Sequence, residues 1–288
     1  MPIAEPADPT QNSQRLREFS FGDEDFEALR RLVKQLTGIN LTDQKRELVY
    51  GRLSRRLRAL NLTSFRDYRK VLQDDADELV NFCNAITTNL TSFFRENHHF
   101  EYLRDHVLKK REQEPAAPRR VRIWSAGCST GEEPYSIAMT VHETISDVRR
   151  WDIRILATDL DSEVLNRAQR GIYAQDRVQG FDPQRLERFF TPTDETRLRS
   201  YSVNTEVASL ITFKQLNLMH KLPMKGPLDV IFCRNVVIYF DKETQRELFG
   251  RMAGLQRPGD LLFLGHSESL FKVSDDYALI GKTVYRRV

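Results

Sequence analysis

The chain lacks most of what would mark it as a membrane, secreted or metal-scaffolded protein. Its 288 residues contain no apolar run of about 18 residues, so no segment qualifies as a bilayer-spanning helix. Cysteine is scarce: Cys83, Cys128 and Cys233 lie far apart and form no CxxC pair, which excludes a disulfide framework or zinc ribbon and favours a reducing, cytoplasmic setting. The six histidines include no HExxH spacing, His98-His99 are expected on a helix surface, and no metal is expected. The opening MPIAEPADPTQNSQ has neither a basic stretch nor an apolar core, so residues 1–20 read as a flexible leader and not a signal peptide. No internal repeat is evident. With 40% hydrophobic and 30% charged residues, the composition fits one large or two ordinary globular domains.

Against these absences, residues 121–135, VRIWSAGCSTGEEPY, carry the most information. An apolar, β-branched strand runs into a small-residue turn, Ala126-Gly127-Cys128-Ser129-Thr130-Gly131, and then into two acids and a proline at a helix start. Strand, glycine turn and helix form the unit with which doubly wound α/β domains hold adenosine cofactors. The glycines stand as GxxxG, whereas a dinucleotide turn needs GxGxxG for the pyrophosphate to approach the backbone. No lysine follows Gly131, and Glu132 and Glu133 put negative charge where a phosphate would sit. An adenosine cofactor without phosphate fits better, with S-adenosylmethionine as the candidate. An ordinary tight strand-to-helix turn is the competing reading.

The net charge of +3 is unevenly spread. Lys45 to Lys70 holds nine basic residues against the acids Glu47 and Asp67, and the next ten positions hold Asp74, Asp75, Asp77 and Glu78. Val49, Leu53, Leu57 and Leu60 form an apolar stripe at helical spacing, with Arg52, Arg55, Arg56 and Arg58 on the remaining arc. Two readings stand: a solvated helix face, or a docking surface for an acidic partner.

The spacing predicts helices over 23–37, 43–60, 64–73, 75–88 and 97–111, most opened by a cap-type residue and the first closed by Gly38. The resulting division is a helical domain over 21–111, a Pro- and charge-rich linker over 112–120, and an α/β domain over 121–288. In the latter, strands 121–126, 153–158, 211–216, 228–233, 260–265 and 282–287 alternate with helices 133–145, 162–170 and 241–254. Such alternation predicts a mostly parallel sheet covered on both faces, with the last two strands antiparallel. Residues 171–210 break the rhythm and read as an inserted small antiparallel sheet, with strand-like pieces at 200–203 and 207–210.

Five segments then add up to a family. NLTSFFRE at 89–96, WSAGCSTGEEPYS at 124–136, ATDLD at 157–161, FKQLNL at 213–218 and CRNVVIYF at 233–240, in that order, closely resemble the CheR-type chemotaxis receptor methyltransferases. The resemblance implies a class I methyltransferase-like domain with an inserted β-subdomain, preceded by an all-α domain. It implies methyl transfer from S-adenosylmethionine to glutamate carboxylates of chemoreceptors, giving methyl esters and S-adenosylhomocysteine. It places Asn217 and Leu218 beside the adenine, Arg234 and Asn235 in the same cleft, and Asn89, Thr91 and Arg95 in a segment over the methionine part. Gly127 belongs to the cofactor turn, and Glu133, more than Glu132, is placed to meet the cofactor ammonium.

Position supports further roles. Asp159 ends the second strand, where a carboxylate reads ribose hydroxyls, with a helix N-cap as the competing role. Arg95 and Tyr239 are expected to position the attacking carboxylate; a core aromatic is the alternative for Tyr239. A substrate glutamate ionises near pH 4.3 and needs no general base. The expected partner is the cytoplasmic part of a membrane receptor, met by Arg52, Arg55, Arg56 and Arg58, with a receptor tail peptide on the β-subdomain as an option. A monomer is expected, recruited to receptors at the inner membrane face, with no membrane insertion and no nucleic acid. Two rivals remain, a noncatalytic S-adenosylmethionine-binding scaffold and a methyltransferase acting on another acidic partner such as RNA.

Overall fold

The computed structural model describes residues 17–114, 119–193 and 199–288; most of the expected leader and residues 115–118 of the expected linker lie outside the described residues. The chain forms two compact units, one of residues up to Lys34 with Leu41–Ile86, the other of Gln35–Asn40 with Thr87–Val288.

The first unit is helical. Helix α1 (Asp23–Thr37) opens on Asp23, Glu24 and Asp25, negative charge that suits a helix N-terminus, and Gly38 follows its end at φ 74°. A 3₁₀ turn leads into α2 (Arg46–Ala59). Helix α3 (Phe65–Asp74) is capped by Ser64, whose hydroxyl accepts from Asp67 N, and α4 (Ala76–Ile86) follows. Of the predicted stripe, Val49, Leu53 and Leu57 are buried on α2, and Leu60, the residue that ends the helix, is half-buried.

The second unit is an α/β sheet sandwich. Helices α5 (His98–Leu103) and α6 (Lys109–Gln113) are joined by a π-helical turn, Arg104–Leu108. The strands are β1 (Arg120–Ala126), β2 (Asp152–Asp159), β3 (Ile172–Ala174), β4 (Phe190–Thr193), β5 (Ser200–Val203), β6 (Ile211–Gln215), β7 (Val230–Cys233), β8 (Leu261–Leu264), β9 (Tyr277–Leu279) and β10 (Val284–Arg287). Between them run α7 (Glu132–Thr144), α8 (Ser162–Arg170), α9 (Gln175–Val178), α10 (Pro183–Phe189), α11 (Thr205–Ala208) and α12 (Lys242–Ala253). Seven strands form the main sheet in the order β6-β2-β1-β7-β8-β10-β9. Strands β6 through β8 are mutually parallel, and β10 is antiparallel to β8 and β9, as the short connection before it requires.

Strand periodicity sorts the core into two layers. Val121, Ile123, Val230, Phe232 and Phe263 face one way, packed with Phe100, Leu103, Val107 and Leu108 from the α5–α6 run. Trp124, Ala126, Ile231, Cys233, Leu262 and Leu264 face the other, against Leu248, Phe249 and Met252 of α12. The helical segment over 98–113, grouped from sequence with the N-terminal domain, thus carries the apolar face that covers the sheet, and the compact unit starts at Thr87.

The insertion contains a three-stranded antiparallel sheet, β3-β5-β4. Its expected strand at 207–210 is instead the end of α11 and its following turn: Val207 turns inward, and Ser209 N donates to Thr205 O. Among the described residues, no helix is long and apolar enough to cross a membrane.

Candidate functional site

Strands β1, β2, β6 and β7 end at one edge of the sheet, and the chain leaves β1 toward β2 on one side while β7 lies on the other. Open α/β sheets bind ligands in the crevice at such a switch. The cofactor-type turn sits there. Gly127 (φ 81°) and Gly131 (φ 96°) adopt left-handed backbone, and Gly127 N and Cys128 N both donate to Thr158 O, at 2.8 and 2.9 Å. A Cβ on Gly127 would lie 2.4 Å from Val236 Cγ2, and one on Gly131 2.9 Å from both Ala168 Cβ and Tyr173 Oη. Both glycines are therefore demanded twice, by dihedral and by space.

The two acids at the start of α7 part company. Glu132, fully buried, accepts from the Thr130 hydroxyl at 2.7 Å and pairs with Arg177 of α9, so it ties the turn to the insertion. Glu133 turns toward the strand ends: Ser125 Oγ donates to its Oε1 at 2.7 Å and Arg234 Nη1 lies 3.0 Å from its Oε2. Burial pushes the Glu133 carboxyl up, an effect Arg234 and Ser125 offset only in part.

Arg234, 2% exposed at its side chain, is shared. Its Nη2 lies 3.4 Å from Glu96 Oε2 and also donates to Arg95 O. Glu96 meets His266 Nδ1 at 2.9 Å as well. Burial raises the Glu96 carboxyl, but His266 and Arg234 outweigh it and hold it down at about 2. His99, expected on a helix surface, is fully buried; its Nε2 lies 3.0 Å from Thr283 Oγ1, and burial with Arg234 nearby depresses the imidazole to about 3. Glu96, His98 and His99 bring ligand-type atoms within 4.8 Å of one another, a grouping that the sequence does not announce.

The two aspartates after β2 divide the candidate roles between them. Asp161 is the N-cap of α8: its Oδ1 accepts from Glu163 N and Val164 N, and its Oδ2 from Thr87 Oγ1 and Asn89 Nδ2, each at 2.8 Å. Asp159 is thereby released from capping. Its Oδ2 accepts from Ser129 N at 2.7 Å and its Oδ1 from Asp161 N at 3.0 Å, with Leu160 N also facing the carboxylate, which leaves part of its acceptor capacity unused. Burial pushes its carboxyl up to about 6.

The segment over 89–96 is held from several sides. Asn89 is fixed by Asp161, Thr91 O accepts from Arg177 Nη2 at 2.8 Å, and Phe94 N donates to Ser136 Oγ at 2.9 Å. Phe94 (φ 51°) and Glu96 (φ 56°) flank Arg95 with left-handed backbone, strain of roughly 1–3 kcal/mol each that persists only where surroundings impose it. The Arg95 guanidinium donates to Leu90 O at 2.8 Å.

Past β6, the Asn217 amide is largely spent on the chain itself: Nδ2 donates to Leu36 O at 2.6 Å and Oδ1 accepts from Met219 N at 2.9 Å. Leu218 is 8% exposed and packs into the core layer with Trp124 and Leu228. Past β7, Asn235 (φ 59°) leads into a 3₁₀ turn, Val237–Tyr239. Tyr239 is half-buried, and its carbonyl accepts from Asn40 N at 2.7 Å. Glu268 was not singled out from sequence; its buried carboxylate accepts from four backbone N–H groups, three of them in or just before this turn.

The arginines of α2 belong to the helical unit and are unequal. Arg52 donates to Ala85 O and Ile86 O, Arg56 forks onto Glu78, and Arg58 reaches Glu18 at 3.2 Å. Arg55 is exposed. Three of the four arginines are thus engaged within the helical unit, while Arg55 and Arg58 remain exposed.

Comparison with known proteins agrees with this geometry. Residues 24–87 match the CheR methyltransferase all-alpha domain and residues 89–286 the CheR methyltransferase SAM-binding domain. The chemotaxis protein methyltransferase of Escherichia coli K12 is 42% identical over 276 residues, covering 94% of this chain and 93% of its own. Chemotaxis protein methyltransferase 2 of Pseudomonas aeruginosa is 43% identical over 286 residues, covering 99% of each. The chain belongs to the CheR methyltransferase family.

Proposed function

We propose that the protein transfers the methyl group of S-adenosylmethionine to glutamate side-chain carboxylates of chemoreceptors, leaving methyl esters and S-adenosylhomocysteine. The observation that carries the reading is the charge pattern at the sheet edge. Glu133 and Glu96 share one buried guanidinium, Arg234, so with both carboxylates ionised the cluster lacks one positive charge. An α-ammonium supplies it, which supports Glu133 as the ligand of the methionine amino group. Asp159, with part of its acceptor capacity unused, suits two ribose hydroxyls. Leu218 offers the adenine an apolar neighbour, and backbone groups near Asn217 its polar contacts, since the Asn217 amide is already engaged.

When bound, the cofactor supplies an electrophilic methyl on a sulfonium. The chain's own residues have the remaining work of aligning and drying the nucleophile. The substrate carboxylate is already ionised, so no base is required. Arg95, free to exchange its bond to Leu90 O, and the Tyr239 hydroxyl would hold the attacking oxygen in line. The left-handed residues on both sides of Arg95 support a role in fixing its direction.

Receptor docking would involve Arg55 first among the α2 arginines. The insertion's outer strands, β3 and β4, offer edges to which an extended tail peptide could add. The reading also implies work at the cytoplasmic face of the membrane. Incubation with methyl-labelled S-adenosylmethionine and a receptor cytoplasmic fragment tests the proposal. Base-labile label released as methanol is expected; base-stable label, or none, would overturn it.

A further inference from the structure

We infer that Glu268 is a positioning residue for methyl transfer, its buried carboxylate fixing the turn from Arg234 to Tyr239 and through it the direction of the Tyr239 hydroxyl. The inference rests on the proposed role of Tyr239 and adds the group that sets it.

Glu268 lies in the loop after β8, 5% exposed. Its Oε2 accepts from Asn235 N at 2.8 Å and Gly265 N at 2.7 Å; its Oε1 accepts from Val237 N at 2.8 Å and Ile238 N at 3.2 Å. Two carboxylate oxygens hold about four lone-pair sites, so the group is saturated by backbone donors alone. These donors have few alternatives. A short 3₁₀ turn leaves its first N–H groups without partners inside the turn, and each such group left unpaired in a buried place costs about 1–3 kcal/mol.

The leading N–H groups of the turn depend on Glu268, while other contacts hold its remainder. Asn235 is left-handed at φ 59°, and a Cβ on Gly265 would lie 2.4 Å from Asn235 Nδ2, so the two loops press together at the point that Glu268 bridges. On its far side the turn meets the cofactor loop, where Val236 fills the space left by Gly127. The carbonyls are held separately: Gln245 Nε2 donates to Val237 O and Phe240 O, and Asn40 N to Tyr239 O. Donor groups thus hang on Glu268, acceptor groups on Gln245 and Asn40. Loss of the first set frees the backbone immediately before Tyr239 while the second keeps the turn in place.

Glu268→Gln is the sharpest probe, because it keeps the shape but turns one acceptor into an amino group facing N–H donors. We expect kcat to fall roughly 30-fold while S-adenosylhomocysteine affinity, read by calorimetry, stays within about threefold. Combined with Tyr239→Phe, it should slow the enzyme no further than the slower single variant, since both act through one hydroxyl. Multiplying effects in the double variant, an E268Q kcat near normal, or a loss confined to cofactor affinity would overturn the inference. A normal Y239F would instead refute the Tyr239 role, and a slow E268Q beside it would show Glu268 acting by another route, which also overturns the inference. If E268Q is not recovered folded, Glu268→Asp, shorter by one methylene, carries the same cycle and the same criteria.

Discussion

The helical unit and the sheet edge each bury glutamate beside arginine, and the two arrangements differ in completeness. In the helical unit Glu78 has Arg56 to itself and also accepts from the Tyr68 hydroxyl at 2.8 Å and the Asn81 amide at 3.2 Å. Burial pushes its carboxyl up, yet these donors prevail and hold it below the usual glutamate range. At the sheet edge, Glu133 and Glu96 divide one arginine, and Glu133 stays raised. His266, 68% exposed, adds charge only when protonated. A buried acid fully matched by its own chain is structural; one left short of positive charge beside a crevice is prepared for a ligand.

Substitutions can break that contrast, beginning with the largest effect. Arg95→Ala should lower kcat/KM by about 10²–10³-fold, the usual loss for one preorganised donor at a reacting oxygen, with the melting temperature nearly unchanged. Near-normal methylation would remove Arg95 from the chemistry. Glu133→Gln should weaken S-adenosylhomocysteine binding roughly 100-fold by calorimetry, about 2.7 kcal/mol. Arg56→Met should leave cofactor binding intact and destabilise the chain by on the order of 2 kcal/mol, discounted from a fully buried pair because Arg56 is 27% exposed. Thermal unfolding that failed to separate R56M from wild type would deny Glu78 its structural role.

Smaller effects follow from acidity and surface charge. Asp159 titrates at about 6 and must be ionised to accept from both ribose hydroxyls. Protonation therefore competes with binding: affinity should hold above that pH and fall up to about tenfold per unit below it. Asp159→Asn should bind weakly and with a flat profile, and an equally steep profile in that variant would assign the titration elsewhere. Arg55→Glu should raise KM for a receptor fragment about threefold at low salt, with the difference gone near about 0.5 M salt. An effect that persists at high salt would mean that Arg55 is not a screened surface contact.

Legibility in the sequence followed the range of the interactions. Helix α8 was readable to the residue because its signals are local: Asp161 caps it, and Gly171 at φ 62° ends it. Six of the seven strands of the main sheet, all but β9, announced themselves as apolar runs. Helix α10 was missed although its Asp182 cap and Pro183 start were present, because the polar insertion offered no periodicity to attach them to. The strand β9 was missed because its apolar run, Tyr277–Leu279, is only three residues long. The placement of Asp159 and Glu133 at the ends of the strands was legible from their place after strand and turn. The Arg177–Glu132 contact and those of Glu268 with the turn after β7 were not, since they join residues thirty or more apart. The partners of Arg52, Arg56 and Arg58 were hidden for the same reason: their acceptors lie on α4 and before α1, out of reach of any helical-wheel argument.

The contrast between the two regions comes down to one missing positive charge at Glu133. Its most direct test is calorimetry of S-adenosylhomocysteine against the analogue lacking only the amino group, on wild type and Glu133→Gln. The account predicts that wild type prefers the amino compound by roughly 100-fold and that E133Q nearly loses the preference. Equal discrimination by both proteins would contradict it.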